Sequence, residues 1–167
     1  MQIWQKNHAA HALTGTGNPD LLEVPMTAFF ASRQCTGTAI RSAMDWALQQ
    51  ARAKNVVISG FQSPLEQSVF KVLLQARSPM VAVLARPVSS AKLLPDWAEP
   101  LARGHLTVVS AARTSTRLTG EVATARNKLV AQLATAIVVA HVSPGGVLAS
   151  LVAEWQLVAE RGVKILG

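Results

Sequence analysis

The sequence predicts an α/β fold, a doubly wound and mostly parallel sheet of about six strands with helices on both faces. Three observations carry this. Short apolar runs of strand length alternate with segments whose apolar residues recur at helical spacing. The runs end in Ser-Arg, Ser-Gly-Phe, an Arg/Thr loop and Ser-Pro-Gly-Gly, which in a parallel sheet converge on one edge. The stretch from Ala136 to Glu154 reads as one complete unit of such a fold: a buried strand, a glycine turn and a helix.

Residues Met1 to Val24 are polar and uneven, punctuated by Gly15, Gly17 and Pro19, and read as an arm leading into a single domain over 25–167. His8 and His11 stand at a spacing that could place both on one helical face as metal ligands. No third ligand is nearby, so a fraying surface segment is the reading. Pro25 precedes a strand over Thr27–Ala31, and Thr36 or Thr38 can cap a helix over about Ala39–Ala53. Ser32 and Arg33 then lie at a strand's carboxyl end, where Arg33 can pair with phosphate or simply face water. A second strand, Asn55–Ser59, runs into Gly60-Phe61-Gln62-Ser63, and Pro64 opens a helix to about Arg77 with Glu66 in its first turn.

A third strand covers Met80–Leu84. The interval from Arg86 to Arg103 holds Pro87, Pro95 and Pro100 and reads as a broken helix or loop in which Trp97 is packed. A fourth strand, His105–Ser110, leads to a loop bearing Arg113 and Arg117. A helix over Val122–Ala134 follows, carrying Arg126-Asn127-Lys128 in its middle. Neighbours on a helix are turned by about 100°, so these three cannot share a face and at least one points inward or into a cleft. Ile137–Ala140 forms the next strand, Ser143 to Gly146 the turn, Val147 to about Arg161 a helix, and Val163–Leu166 the last strand. A glycine turn at a helix start leaves backbone N–H groups free where the macrodipole favours negative charge, so Ser143, Gly145 and Gly146 make either an anion site or a tight βα connection.

Composition narrows the function. A chain of 167 residues, half of them hydrophobic, supports one well-buried core. The 16 Lys and Arg against 9 Asp and Glu give a net charge of +7, which suits an anionic partner, nucleic acid or nucleotide phosphates first. The one cysteine, Cys35, excludes an internal disulfide and fits a reducing cytoplasm; near a helix start it reads as a small apolar filler or an activated thiolate. The longest apolar stretch, Leu129–Val142, is interrupted and too short to cross a bilayer, and no signal segment opens the chain, so a soluble cytoplasmic protein without a membrane partner is expected. With 5% aromatic residues and no tyrosine, the interleaved aromatics of stacking-based single-strand binders are absent from the sequence. No motif asks for a metal ion or a cofactor.

Taken in order, Ser32-Arg33, Ser59-Gly60-Phe61, Ala125-Arg126-Asn127-Lys128-Leu129-Val130, the strand Ile137–Ala140 with its Ser143-Pro144-Gly145-Gly146 turn, and the terminal Ile165-Leu166-Gly167 resemble the core of the DNA-processing protein A family over roughly Leu21–Gly167. The resemblance implies a Rossmann-like fold and a pocket for phosphate or single-stranded DNA lined by Arg33, Gly60, Arg126, Asn127, Lys128, Gly145 and Gly146. It also implies a homodimer that helps load a recombinase onto the strand. The family's Gly-Ile-Asp run and downstream Ala-His correspond here to Pro64, Leu65 and Glu66, then Val69 and Phe70. The chain is similar as well to the cytokinin-activating, lysine-decarboxylase-like phosphoribohydrolases, which share Pro144-Gly145-Gly146, and to molybdenum-cofactor carriers built on the same turn. The hydrolase turn continues Gly, Thr, Glu, Glu where this chain has Leu148, Ala149, Leu151 and Val152, and Glu154 comes two residues late.

Three functions are therefore on the table. The first is a non-catalytic binder of single-stranded nucleic acid or a phosphate-bearing nucleotide, using Ser32, Arg33, Gly60, Phe61, Arg113, Arg126, Asn127, Lys128, Ser143, Gly145 and Gly146. The second is a phosphoribohydrolase-like nucleotide enzyme or a cofactor carrier, with Glu66 or Glu121 as the carboxylate near the cleft. The third is a scaffold that kept the fold and lost the ligand.

Overall fold

The computed structural model describes residues 2–115, 117, 119–158 and 162–167. Its strands are β1 (Trp4–His8), β2 (His11–Gly17), β3 (Met26–Phe30), β4 (Val56–Ser59), β5 (Met80–Val83), β6 (Leu106–Ser110), β7 (Ala136–Val139) and β8 (Val163–Ile165). They form one sheet in the order β1-β2-β6-β5-β4-β3-β7-β8. From β6 to β8 every pairing is parallel. That is the doubly wound sheet the sequence predicts, with its six parallel strands displaced from their expected limits by a residue or so at the ends.

The connecting helices are α1 (Gly37–Ala53), α2 (Pro64–Gln75), α3 (Ala98–Arg103), α4 (Gly120–Leu133) and α5 (Val147–Leu157). The central strands are buried on both faces, so consecutive side chains feed opposite cores. Phe29 stacks on Trp46 of α1 with centroids 5.1 Å apart, while its neighbour Phe30 meets Trp155 of α5 at 4.7 Å. One core joins the sheet to α1 and α2 through Ala43, Ala47, Val69 and Leu73, with Leu101 of α3 at its margin. The other joins it to α4 and α5 through Leu129, Val130 and Val152.

Local chemistry sets the helix starts. The Thr36 hydroxyl accepts the Ala39 N–H (3.1 Å) at α1, which decides between the two candidate threonines. Ser63 and Glu66 close a reciprocal capping box at α2, with Pro64 in the first turn. Thr119 caps α4 through the Val122 N–H (3.3 Å). The proline-rich interval forms two 3₁₀ turns, Val88–Ser90 and Pro95–Trp97, and then the short α3. Pro100 fits there because it sits in the first turn, where no intrahelical N–H bond is required.

The amino-terminal segment differs from expectation. Instead of an arm leading into the domain, β1 and β2 form a hairpin that adds antiparallel to the β6 edge. Ala9 and Ala10 make its two-residue turn with φ of 48° and 65°, so His8 and His11 face each other across the hairpin and not along a helix. A 3₁₀ turn over Pro19–Glu23 follows, and Lys6 and His8 pair with Glu23 to tie the hairpin to it. At the other end α5 stops at Leu157; the expected continuation through Ala159, Glu160 and Arg161 lies outside the described residues.

Candidate functional site

The sheet's order reverses at β3, which has β4 on one side and β7 on the other. In open α/β sheets the crevice beyond the carboxyl ends of such a pair is where ligands bind. Here the β3–α1 and β7–α5 loops are stapled together. The Ser32 N–H donates to the His141 carbonyl (3.1 Å), the Ser143 N–H donates to the Ser32 hydroxyl (2.9 Å), and the Ser143 hydroxyl donates to the Gln34 carbonyl (3.3 Å). Ser32 and Ser143 thus meet as expected, but as each other's supports. Arg33 stands exposed between these loops with no partner among the described residues.

Across the crevice Gly145 takes φ of 76°, and Gly146 occupies the N-cap of α5 with no side chain to offer. The first N–H groups of α5 therefore lack the side-chain acceptor that α1, α2 and α4 each possess.

One strand over, β4 ends in Ser59-Gly60-Phe61. The Ser59 hydroxyl accepts the Phe61 N–H (3.1 Å) and holds Phe61 at φ of 51°, a conformation costing a bulky residue about 1–2 kcal/mol. Its buried ring, edge-on to Phe70 at 5.0 Å, offsets that cost. The Arg126 side chain from α4 lies directly on Gly60: a Cβ added to Gly60 would come within 2.6 Å of Arg126 Nε. Only a residue without a side chain admits the guanidinium at this depth.

Arg126 is 8% exposed, and its one hydrogen-bond partner among the described residues is Asn127 Oδ1, at 3.0 Å from Nε. Burial lowers its pKa, and the charge of Glu66 partly restores it. No ion pair is formed between them. Glu66 is occupied elsewhere: Oε2 accepts the Ala31 N–H (3.0 Å), and Oε1 accepts the N–H groups of Gln62 (3.0 Å) and Ser63 (3.2 Å). One buried carboxylate thereby fixes the end of β3 to the start of α2. The result is a desolvated cation with free donors at the carboxyl edge of the sheet, an arrangement suited to an oxyanion.

The remaining expected residues fall into place or away from it. Arg126 is the inward member of the Arg-Asn-Lys trio and Asn127 orients it. Lys128 turns outward instead, into a groove beside Glu154 and Trp155 of α5. Arg113 is exposed on the loop after β6, three strand positions from β3, which at about 4.8 Å per strand separates it from the crevice. Glu121 is exposed at the start of α4. Cys35 donates its S–H to the Ser32 carbonyl (3.2 Å) and packs against the α1 core. Burial, with Glu66 adding to it, raises its pKa, the opposite of an activated thiolate. Among the described residues no group of three or more His, Cys, Asp or Glu could hold a metal ion. Sequence reasoning missed the Ala31 contact of Glu66, and also a cavity beside Arg126 under the 86–97 segment. No local pattern marks either, because each depends on residues far apart in the chain.

Comparison with solved structures gives two relatives of the same fold. DNA-processing protein A of Streptococcus pneumoniae superposes with a TM-score of 0.74 at 21% identity, over 92% of this chain and 54% of its own. DNA processing protein A of Helicobacter pylori, whose structure is described in terms of a unique single-stranded DNA binding mode, gives 0.78 at 14% identity over 99% and 80%. The chain thus spans about half the length of the first of these. The molybdenum cofactor carrier protein of Chlamydomonas reinhardtii is more distant, with a TM-score of 0.57 at 15% identity over 85% of this chain and 76% of that one. Comparison with curated protein sequences gives no match. The family model described as DNA recombination-mediator protein A matches residues 2–163, nearly the whole chain, and the protein belongs to that family.

Proposed function

We propose that the chain binds single-stranded DNA through its phosphates at the carboxyl edge of the sheet, without catalysing a reaction on it. The observation that carries this is Arg126: a buried guanidinium, laid on a glycine, oriented by Asn127 and lacking an ion-pair partner. A buried cation left in that state is costly unless an anion completes it. The net charge of +7 supports a polyanion, and the binding described for the Helicobacter pylori relative supports a single strand. Arg33 and the uncapped start of α5 offer further contacts to phosphate within the same crevice. Glu66 favours binding over glycoside hydrolysis, because its oxygens already hold three backbone N–H groups.

A homodimer is supported by the exposed Leu157, Val158 and Ile165 at the β8 edge, and a cytoplasmic location by the single reduced cysteine. The test is a fluorescence-anisotropy titration with labelled oligo-dT, duplex DNA, AMP and GMP. Preference for oligo-dT, weakened in both Arg33→Ala and Arg126→Ala, is expected. Equal affinity for duplex, or affinity unchanged in both variants, overturns the assignment.

A further inference from the structure

Beside Arg126, between α2 and the 86–97 segment, the carboxyl edge of the sheet opens into a cavity of about 540 Å³. The sequence scatters its few aromatics, but the fold gathers three of them here. Phe61 packs on Phe70 at 5.0 Å and Phe70 on Trp97 at 5.2 Å, giving a continuous aromatic wall whose outer member is only partly buried. Two amides sit at the inner end. Gln62 Nε2 donates to the Gly60 carbonyl (3.2 Å) and Gln67 Nε2 to the Gln62 carbonyl (2.9 Å), so both Oε1 atoms remain as acceptors. Lys71, Arg86 and Lys92 line the cavity together with Arg126, against one carboxylate, Asp96.

We infer that this cavity takes one unstacked nucleobase of the strand whose phosphate lies on Arg126. The inference rests on the phosphate-binding reading and adds the part of the ligand that reading leaves open. The volume lies in the range of pockets that enclose a nucleotide-sized ligand. A flat apolar wall stacks a base of any sequence, the amide acceptors meet the ring N–H or exocyclic amino groups, and the lysines and arginines hold the flanking phosphates. A lone phosphate would leave the aromatic wall unused. An apolar side chain of a protein partner would leave the buried guanidinium unpaired.

The test compares oligo-dT with a strand of equal length whose bases are replaced by abasic sites, using the whole chain. Stacking of a single base predicts that oligo-dT binds roughly 5- to 100-fold more tightly. Ala91→Phe, which places a ring into the cavity from its lining, should bring oligo-dT down to the affinity of the abasic strand and leave the abasic strand unaffected. Independently of any variant, a strand carrying 5-iododeoxyuridine should photocrosslink to Trp97 or Phe70. Equal affinity for the two strands, with crosslinks elsewhere, overturns the base pocket while leaving the phosphate reading intact. Binding of neither strand overturns both. Thymidine monophosphate binding as tightly as the strand assigns the cavity to a free nucleotide and overturns its role in strand binding.

Discussion

Gly60→Ala adds one carbon at the point where β4 and α4 meet, and its effect can be worked out from the structure. The new Cβ would stand 2.6 Å from Arg126 Nε and 2.7 Å from its Cδ and Cζ, where ordinary contact begins at 3.4 Å. The guanidinium must therefore retreat by about 0.8 Å or more, since a close-packed site has no slack to absorb the methyl group. Gly60 is not among the residues with positive φ, so alanine suits its backbone and the strain falls on the Arg126 side chain.

Displacement breaks the alignment with Asn127 and with any anion held there. A charge-assisted hydrogen bond contributes about 1.5–3 kcal/mol, so affinity for oligo-dT should fall by roughly 10- to 150-fold. Anisotropy titration measures this, with circular dichroism and thermal unfolding confirming that the fold persists. The decisive comparison is a double-mutant cycle: in an Arg126→Ala background Gly60→Ala should change nothing further, because the group it displaces is gone. A loss as large in that background as in the wild type refutes the reasoning.

Three further outcomes follow from the same geometry. Glu66→Ala leaves three backbone N–H groups without their acceptor; at about 1 kcal/mol or more for each, stability should drop by at least about 3 kcal/mol, a fall in Tm of about 6–12 °C for a domain of this size, and a loss below about 1 kcal/mol in urea unfolding contradicts the account. Cys35, raised in pKa by burial and then by Glu66, contributes stability that is present below the ordinary thiol pKa and lost as pH rises through the folded-state value; iodoacetamide at pH 8 should label it more slowly than a free thiol, and faster labelling contradicts the burial. Lys128→Ala should leave oligo-dT affinity unchanged, because the side chain faces the α5 groove; a loss matching that of Arg126→Ala would place the strand on the opposite face of α4.

The parallel sheet is legible in the sequence because its strands are buried on both faces and so read as uninterrupted apolar runs, such as Val56–Ser59 and Met80–Val83. Pro64 and the capping threonines announce the helices in the same way. The hairpin is not legible. Its turn is Ala9-Ala10 with both residues at positive φ, where Asn-Gly would have signalled it, and β1 (Trp-Gln-Lys-Asn-His) is mostly polar.

At the site, helical geometry required one of Arg126, Asn127 and Lys128 to point inward. Which one it is depends on the angle at which α4 packs on β4, and that is a tertiary fact. The first-turn position of Glu66 revealed its part in capping α2, but the Ala31 contact bridges 35 positions of sequence. The cavity depends on an interval whose prolines announce only irregularity, and its aromatic wall forms when Trp97 folds back onto Phe70.

The central claim, that Arg126 receives a phosphate of a single strand, is tested most directly by the salt dependence of oligo-dT binding in the wild type and in Arg126→Ala. Each phosphate contact on a single strand contributes about 0.7 to the slope of log affinity against log salt. The account predicts that Arg126→Ala binds more weakly at low salt and that its slope is shallower by about 0.7. An affinity and slope identical to those of the wild type would contradict it.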